Sequence, residues 1–176
     1  MPELILGGAR SGKSTLAETR ARDSGLEVTY VATAEAHDQE MADRIRQHRD
    51  RRPDGWRTVE APVALAATLE REAGPEGMLL VDCLTLWLGN LIADDDALTR
   101  ERADLLERLP RLPGRIVLVS SEVGLGIVPD NALARRFRDE AGWLNQTVAG
   151  LCEHVTFVAA GLPLTLKAPT GALGKI

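Results

Sequence analysis

The sequence predicts an α/β domain whose mainly parallel central sheet is covered by helices. Three observations carry this prediction. Short apolar runs alternate along the chain with longer segments of helical period. Several of those runs are apolar at every position, as strands buried on both faces must be. Turn strings, PDG at 53–55, GPEG at 74–77 and LPG at 112–114, break the periodic segments apart.

Taken in order, Glu3–Leu6 is the first strand, and the helix Lys13–Ser24 follows a glycine-rich turn. Val28–Ala32, rich in β-branched and aromatic residues, is the second strand and leads to a helix over Asp38–Arg51. After PDG come a short strand, Arg57–Val59, and a helix, Val63–Glu72. The apolar strand Met78–Asp82 precedes the helix Leu84–Ile92. Asp94, Asp95 and Asp96 favour the start of the next helix, Leu98–Leu109, because carboxylates complement a helix N-terminus. Ile116–Ser120, the long helix Ala132–Cys152 and the strand Val155–Ala159 complete the pattern. The residues APTGALGKI, from about 168 to 176, read as a loose tail. With no linker, repeat or low-complexity segment, residues 1–176 form one expected domain.

Composition removes several classes of function. A chain of 176 residues, 44% hydrophobic and 27% charged, suits one globular domain with a sizeable core. Its formal charge of -5 argues against broad electrostatic capture of nucleic acid. No apolar stretch reaches the roughly 18 residues of a membrane span. The opening MPELILGG carries no signal-peptide pattern, so a cytoplasmic location is expected. Cys83 and Cys152 lack metal-binding or redox spacing and read as reduced core residues.

The sharpest motif is GGARSGKS, Gly7 to Ser14, which fits G-x-x-x-x-G-K-[ST] between a predicted strand and a predicted helix. Glycines let such a loop turn its amides toward phosphate oxygens, and the following helix N-terminus adds favourable potential. Lys13 is placed to reach the β- and γ-phosphates, and Ser14 to offer its hydroxyl to Mg²⁺. Lysine is scarce here, with only Lys13, Lys167 and Lys175, which adds slight weight to its presence in the motif. Asp82 ends an apolar strand in VDCLTLW, where a carboxylate either orients Mg²⁺ or caps the helix from Leu84. The sequence leaves both roles open.

A phosphate loop names a ligand and leaves the reaction undecided. No D-x-x-G follows a predicted strand and N-K-x-D is absent, which removes the GTPase switches. A RecA-like ATPase working on another macromolecule fits the fold, but the acidic balance and the lack of interleaved basic and aromatic residues weigh against it. A small-molecule kinase or nucleotidyltransferase fits better. The stretch RIRQHRDRRPDGWRTVE, residues 44–60, sets His48 among five arginines. His48 shares a helical face with Met41, Arg44 and Ile45, so it reads either as a packed structural residue or as a nucleophile. In the second reading, positive neighbours keep the imidazole neutral while their guanidinium groups bind phosphate. SSEVGLGIVPDN, residues 120–131, reads either as a loop over the bound substrate or as a buried connector, and Glu122 has no assigned role. Trp56, Trp87 and Trp143 read as core or interface residues.

Together GGARSGKS, VATAEAHDQEMADRIRQHRDRRPDGWRTVE, VDCLTLW, SSEVGLGIVPDN, RRFRDEAGWLNQ and AGLPL make the chain resemble one family over nearly its whole length. That family is the bifunctional adenosylcobinamide kinase/adenosylcobinamide-phosphate guanylyltransferases of cobalamin biosynthesis. The resemblance implies a RecA-like P-loop domain that assembles as a homotrimer. It implies two reactions, phosphorylation of adenosylcobinamide by ATP or GTP, and transfer of GMP from GTP to adenosylcobinamide phosphate. The residue matching the family's GMP carrier is His48. Matching contacts to GTP fall on Gly7, Gly8, Ala9, Arg10, Ser11, Gly12, Lys13 and Ser14, on Ala32, Thr33 and Ala34, on Arg49, Asp50, Arg51 and Arg52, and on Glu60 and Asp82.

Overall fold

The computed structural model describes residues 2–36, 38–50 and 52–169, without the side chains of Glu40, Met41, Arg44, Gln47 and His48. In chain order its elements are β1 (Pro2–Gly7), α1 (Lys13–Asp23), β2 (Glu27–Ala32), α2 (Gln39–Asp50), β3 (Arg57–Glu60), α3 (Leu65–Glu72) and β4 (Gly77–Asp82). Then come α4 (Leu84–Leu91), α5 (Asp95–Arg108), a 3-10 turn (Leu109–Arg111), β5 (Arg115–Ser121), α6 (Ala132–Leu151), β6 (His154–Ala159) and β7 (Leu162–Lys167). The strands form one sheet in the order β3-β2-β4-β5-β1-β6-β7. Every pairing is parallel except that of β6 with β7. β5 therefore separates the phosphate-loop strand β1 from β4, the strand that ends in Asp82. This is the RecA-like arrangement that the resemblance implies.

The continuous apolar runs divide by alternation into two cores, one on each face of the sheet. Leu4 and Leu6 of β1, Leu79 and Val81 of β4, and Ile116 and Leu118 of β5 face one core with residues of α3, α4, α5 and α6. Ile5, Met78, Leu80, Val117 and Val119 face the other, where Ala17 and Ala21 of α1 cover them. Small residues at 17 and 21 let α1 lie close to the sheet. That closeness sets the N-terminus of α1 directly above the end of β1. The thiols of Cys83 and Cys152 are free and buried, and burial pushes them up to about 11 and about 12 respectively. Both are core residues, as expected.

The expected elements all occur, with shifted ends. α5 begins earlier than Leu98, because Asp94 acts as its N-cap and accepts a hydrogen bond from the Ala97 amide at 2.9 Å. Asp95 and Asp96 then occupy the first turn, where their charge meets the helix dipole. β7 is the one strand the sequence reading lacks. Its Pro163 has no amide to give the ladder, which the edge position tolerates. Ala168 and Pro169 follow β7 without regular structure, and the rest of the expected tail lies outside the described residues.

Trp87 is the largest fully buried side chain, and its indole N–H donates to the Val63 carbonyl at 2.7 Å. It joins α4 to the segment entering α3. Trp87→Ala is expected to lower the unfolding free energy in urea by about 3–5 kcal/mol, the range for emptying a large aromatic site. A loss below about 1 kcal/mol would mean that this part of the core collapses around the cavity.

Candidate active site

Of the residues predicted for the site, Gly7 to Ser14, Ala32 to Ala34, Glu60 and Asp82 lie at or just beyond the C-terminal ends of the parallel strands, where α/β sheets bind ligands. Gly7 closes β1, and a Cβ there would lie 2.4 Å from Ser11 Oγ and 2.6 Å from the Val158 carbonyl oxygen. Only glycine fits so tight a turn. Gly12, at φ 96°, is the N-cap of α1 and offers no side-chain cap. The first helical amides of α1 are thus left without a capping side chain, as anion binding requires. Lys13 Nζ bends back to donate to the Gly8 carbonyl at 3.0 Å, which keeps the ammonium over the loop. Arg10 adopts a left-handed conformation with φ 55° and is exposed, along with Ala9. Ser11 Oγ is buried without a hydrogen-bond partner.

The loop is held by the segments that leave its two neighbouring strands. The Glu122 amide, just beyond β5, donates to the Gly7 carbonyl at 3.1 Å. The Gly161 amide, in the turn from β6 to β7, donates to the Ser11 carbonyl at 2.8 Å. That turn belongs to the AGLPL string, whose structural part the sequence could not reveal. Ala160 and Gly161 both have positive φ, 52° and 79°, so the turn is tight enough to press on Gly12.

Register aligns a second group. Ala32 pairs with Glu60 on one side and with Asp82 on the other, so these three residues form a row across β3, β2 and β4. Thr33 is fully buried, and its hydroxyl donates to the Cys83 carbonyl at 2.7 Å while accepting from the Cys83 amide at 2.8 Å. Asn90 Nδ2 donates to the carbonyls of Thr33 and Pro62. The Thr33 hydroxyl is thereby committed to the fold, and residues 32–34 present their backbone as a fixed rim. Glu60 is exposed at the end of β3.

Asp82 has a different setting from a helix cap. The N-cap of α4 is Cys83, with no side-chain capping bond, while Asp82 Oδ2 accepts from the Tyr30 hydroxyl at 3.0 Å. Asp82 and Lys13 both lie near enough to Cys83 for their charges to act on its thiol. Burial is the main cause that raises the Cys83 thiol; the Asp82 charge adds to it and the Lys13 charge opposes it. Ser14 and Asp82 are hard oxygen donors, and among the described residues no group of three or more His, Cys, Asp or Glu side chains converges on a metal site. That donor set fits Mg²⁺, which takes few protein ligands and completes its shell with water and phosphate.

The segment carrying His48 is partly described. His48 lies within α2, and its side chain is outside the described residues, as is Arg51. Arg49 and Asp50 are exposed at the end of that helix. Arg52 follows, with its guanidinium 3.5 Å from the centroid of the Tyr30 ring and Nη1 donating to Thr58 Oγ1 at 3.0 Å. Tyr30 was absent from the predicted site. Its signal was available, since it is the only tyrosine of the chain and lies in an apolar strand, where a buried phenol needs a partner.

Two cavities of about 280 Å³ each lie at the opposite, N-terminal edge of the sheet, lined in part by Glu3, Arg115 and His154 and by Glu27, Arg57 and Glu72. They contain none of the predicted residues. Chemistry and topology both point to the open C-terminal edge instead.

Comparison with known proteins identifies the family. The family described as cobinamide kinase / cobinamide phosphate guanyltransferase matches residues 3–166. A bifunctional adenosylcobalamin biosynthesis protein, CobP of Pseudomonas aeruginosa, is 62% identical over 169 residues, spanning 95% of this chain and 98% of that protein. The CobU protein of Escherichia coli, with the same bifunctional description, is 39% identical over 179 residues, spanning 93% and 98%. CobU of Salmonella typhimurium is 38% identical over the same shares. Among solved structures, the RadB recombinase aligns with 89% of this chain and 73% of its own at 16% identity and a TM-score of 0.46, a likeness too distant to add to the assignment. The phosphate loop and the Asp82 strand end fall within a match that covers nearly every described element, and the chain belongs to the cobinamide kinase / cobinamide phosphate guanyltransferase family.

Proposed function

We propose that this chain, as one domain in the cytoplasm, carries out both reactions of its family at a single nucleotide site. It phosphorylates the aminopropanol hydroxyl of adenosylcobinamide with ATP or GTP. It then moves GMP from GTP to adenosylcobinamide phosphate, forming adenosylcobinamide-GDP and releasing pyrophosphate. The observation that carries this reading is that the phosphate loop and Asp82 stand at the same, C-terminal end of the parallel strands, with Arg52, just after α2, stacked on the Tyr30 ring whose hydroxyl binds Asp82. Family membership favours it over a RecA-like ATPase acting on another macromolecule.

In the kinase step the amides of Gly8 to Ser14 and the Lys13 ammonium hold the β- and γ-phosphates; the substrate hydroxyl bonds to the γ-phosphorus, the bond to the β,γ-bridging oxygen breaks, the nucleoside diphosphate leaves and the hydroxyl proton passes to solvent. Ser14 and Asp82 would hold Mg²⁺, which when bound draws negative charge from the phosphate oxygens. In the second step a nitrogen of His48 attacks the α-phosphorus of GTP. An N–P bond forms, the bond to the bridging oxygen breaks, and pyrophosphate leaves. A phosphate oxygen of adenosylcobinamide phosphate then displaces His48 from the same phosphorus. Arg49, Arg51 and Arg52 surround this site in sequence, where they bind phosphate and disfavour the imidazolium that could not attack. Ala32, Thr33, Ala34 and Glu60 border the nucleotide from the neighbouring strand ends. The corrinoid approaches past residues 122–131, whose exposed Leu125 and Ile127 stand on the loop tied to Gly7.

The homotrimer belongs to the same proposal. Leu162, Leu164 and Leu166 of the edge strand β7 are exposed, and Trp143 on α6 is 58% exposed. An apolar edge of this kind supports association, since bare edges invite pairing and exposed apolar area favours burial.

Two outcomes are expected. Incubated with GTP labelled at its α-phosphate, the wild type should retain acid-labile, alkali-stable label, whereas His48→Asn should retain none and still phosphorylate adenosylcobinamide. Normal labelling of His48→Asn would transfer the carrier role to another residue. In light scattering at micromolar concentration the wild type should have the mass of three chains, and Leu164→Asp should shift it toward one. A wild-type monomer with full activity would end the trimer proposal.

A further inference from the structure

Tyr30 sits on β2 between β3 and β4, and it is 2% exposed. Its ring belongs to the core that α1 covers, yet its hydroxyl passes along the sheet to Asp82 Oδ2 at 3.0 Å. The ring itself is fixed on one face by Arg52, 3.5 Å from its centroid. Arg52 is fixed in turn by its bond to Thr58 on β3 and by its amide, which donates to the Arg49 carbonyl at 3.1 Å. A chain of contacts thus runs from the end of α2, through Arg52 and the Tyr30 ring, to the carboxylate at the end of β4.

We propose that Tyr30 is a positioning residue for Asp82, holding one carboxylate oxygen so that the other faces the phosphates and their metal ion, with Arg52 clamping the ring in that orientation. The inference rests on the proposed two-step function, because it gives Asp82 its role toward Mg²⁺. The terminal torsion of a carboxylate is broad and its two oxygens are equivalent, so a hydrogen bond to one oxygen selects a narrow range of that torsion and fixes where the other oxygen points. The stack ties that selection to the segment after α2, where the arginines gather. The carboxylate that serves the kinase step and the arginines that serve GMP transfer are therefore set by one aromatic ring.

Tyr30→Phe keeps the ring and its stack on Arg52 while deleting the hydroxyl. The measurement is the affinity of a fluorescent GTP analogue whose α,β-bridge is a methylene group, so that it cannot guanylylate the protein, at increasing Mg²⁺ and without corrinoid, alongside the thermal midpoint. Losing a hydrogen bond to a charged group should raise the Mg²⁺ concentration for half-maximal tightening roughly tenfold. Affinity measured in EDTA should stay near wild type. In an Asp82→Asn background the same substitution should add nothing further, because the two residues act as a unit. An unchanged Mg²⁺ requirement in Tyr30→Phe, or an equal effect with and without the Asp82 carboxylate, overturns the positioning role, whatever the change in melting temperature. This readout needs no corrinoid turnover. A wild type without either transferase activity would defeat the functional reading and leave the Tyr30 result separately legible.

Discussion

Two backbone hydrogen bonds hold the active edge together, and the rest of the site depends on them. β1 is paired on both sides, with β5 and with β6, so the loop that leaves it is flanked by the segments leaving both neighbours. The Glu122 amide bonds the Gly7 carbonyl from one side, and the Gly161 amide bonds the Ser11 carbonyl from the other. Between them the chain turns so tightly that Gly7 has no space for a Cβ. A loop braced in this way presents its amides without first having to be ordered. That preorganisation is what electrostatic stabilisation of a transferred phosphoryl group requires.

One braced cradle can serve two reactions because a nucleoside triphosphate offers two electrophilic phosphorus atoms along one line. In the proposed mechanism, Lys13 and the loop amides serve attack at the γ-phosphorus, and attack at the α-phosphorus needs a nucleophile displaced toward the nucleoside. α2 lies between β2 and β3 in the chain, on the side of the sheet away from β1, so its histidine comes from a separate element. In the proposed mechanism, covalent transfer through His48 splits the guanylyl displacement into two steps, each with its own attacking group. The Tyr30 ring connects the two halves physically, since Asp82 and Arg52 both rest on it.

The parallel sheet and phosphate loop were legible because their signals are local: apolar runs, a fixed glycine spacing and turn residues. Asp94 was legible as a cap for the same reason. β7 was not, because its alternating Leu162, Leu164 and Leu166 surround a proline, and only the edge position makes that proline harmless. Asp82 was ambiguous between cap and metal carboxylate in the sequence; the third dimension makes Cys83 the N-cap of α4 and puts Tyr30, 52 residues away, beside Asp82. Thr33 was grouped with nucleotide contacts, whereas its hydroxyl binds the Cys83 backbone and helps to fix the rim. Long-range partners of this kind leave no periodic trace in the chain. His48 is in α2 as expected, and its role still rests on its arginine-rich sequence setting and on the family.

Equilibrium dialysis of His48→Asn with labelled GTP, in the presence of Mg²⁺ and without corrinoid, tests the claim of a single shared site most directly, because this variant binds nucleotide without consuming it in guanylylation. The account predicts one GTP per chain at saturation, displaced completely by ATP. A second GTP per chain, or a fraction of bound GTP that ATP cannot displace at any concentration, would mean that the two reactions use separate nucleotide sites.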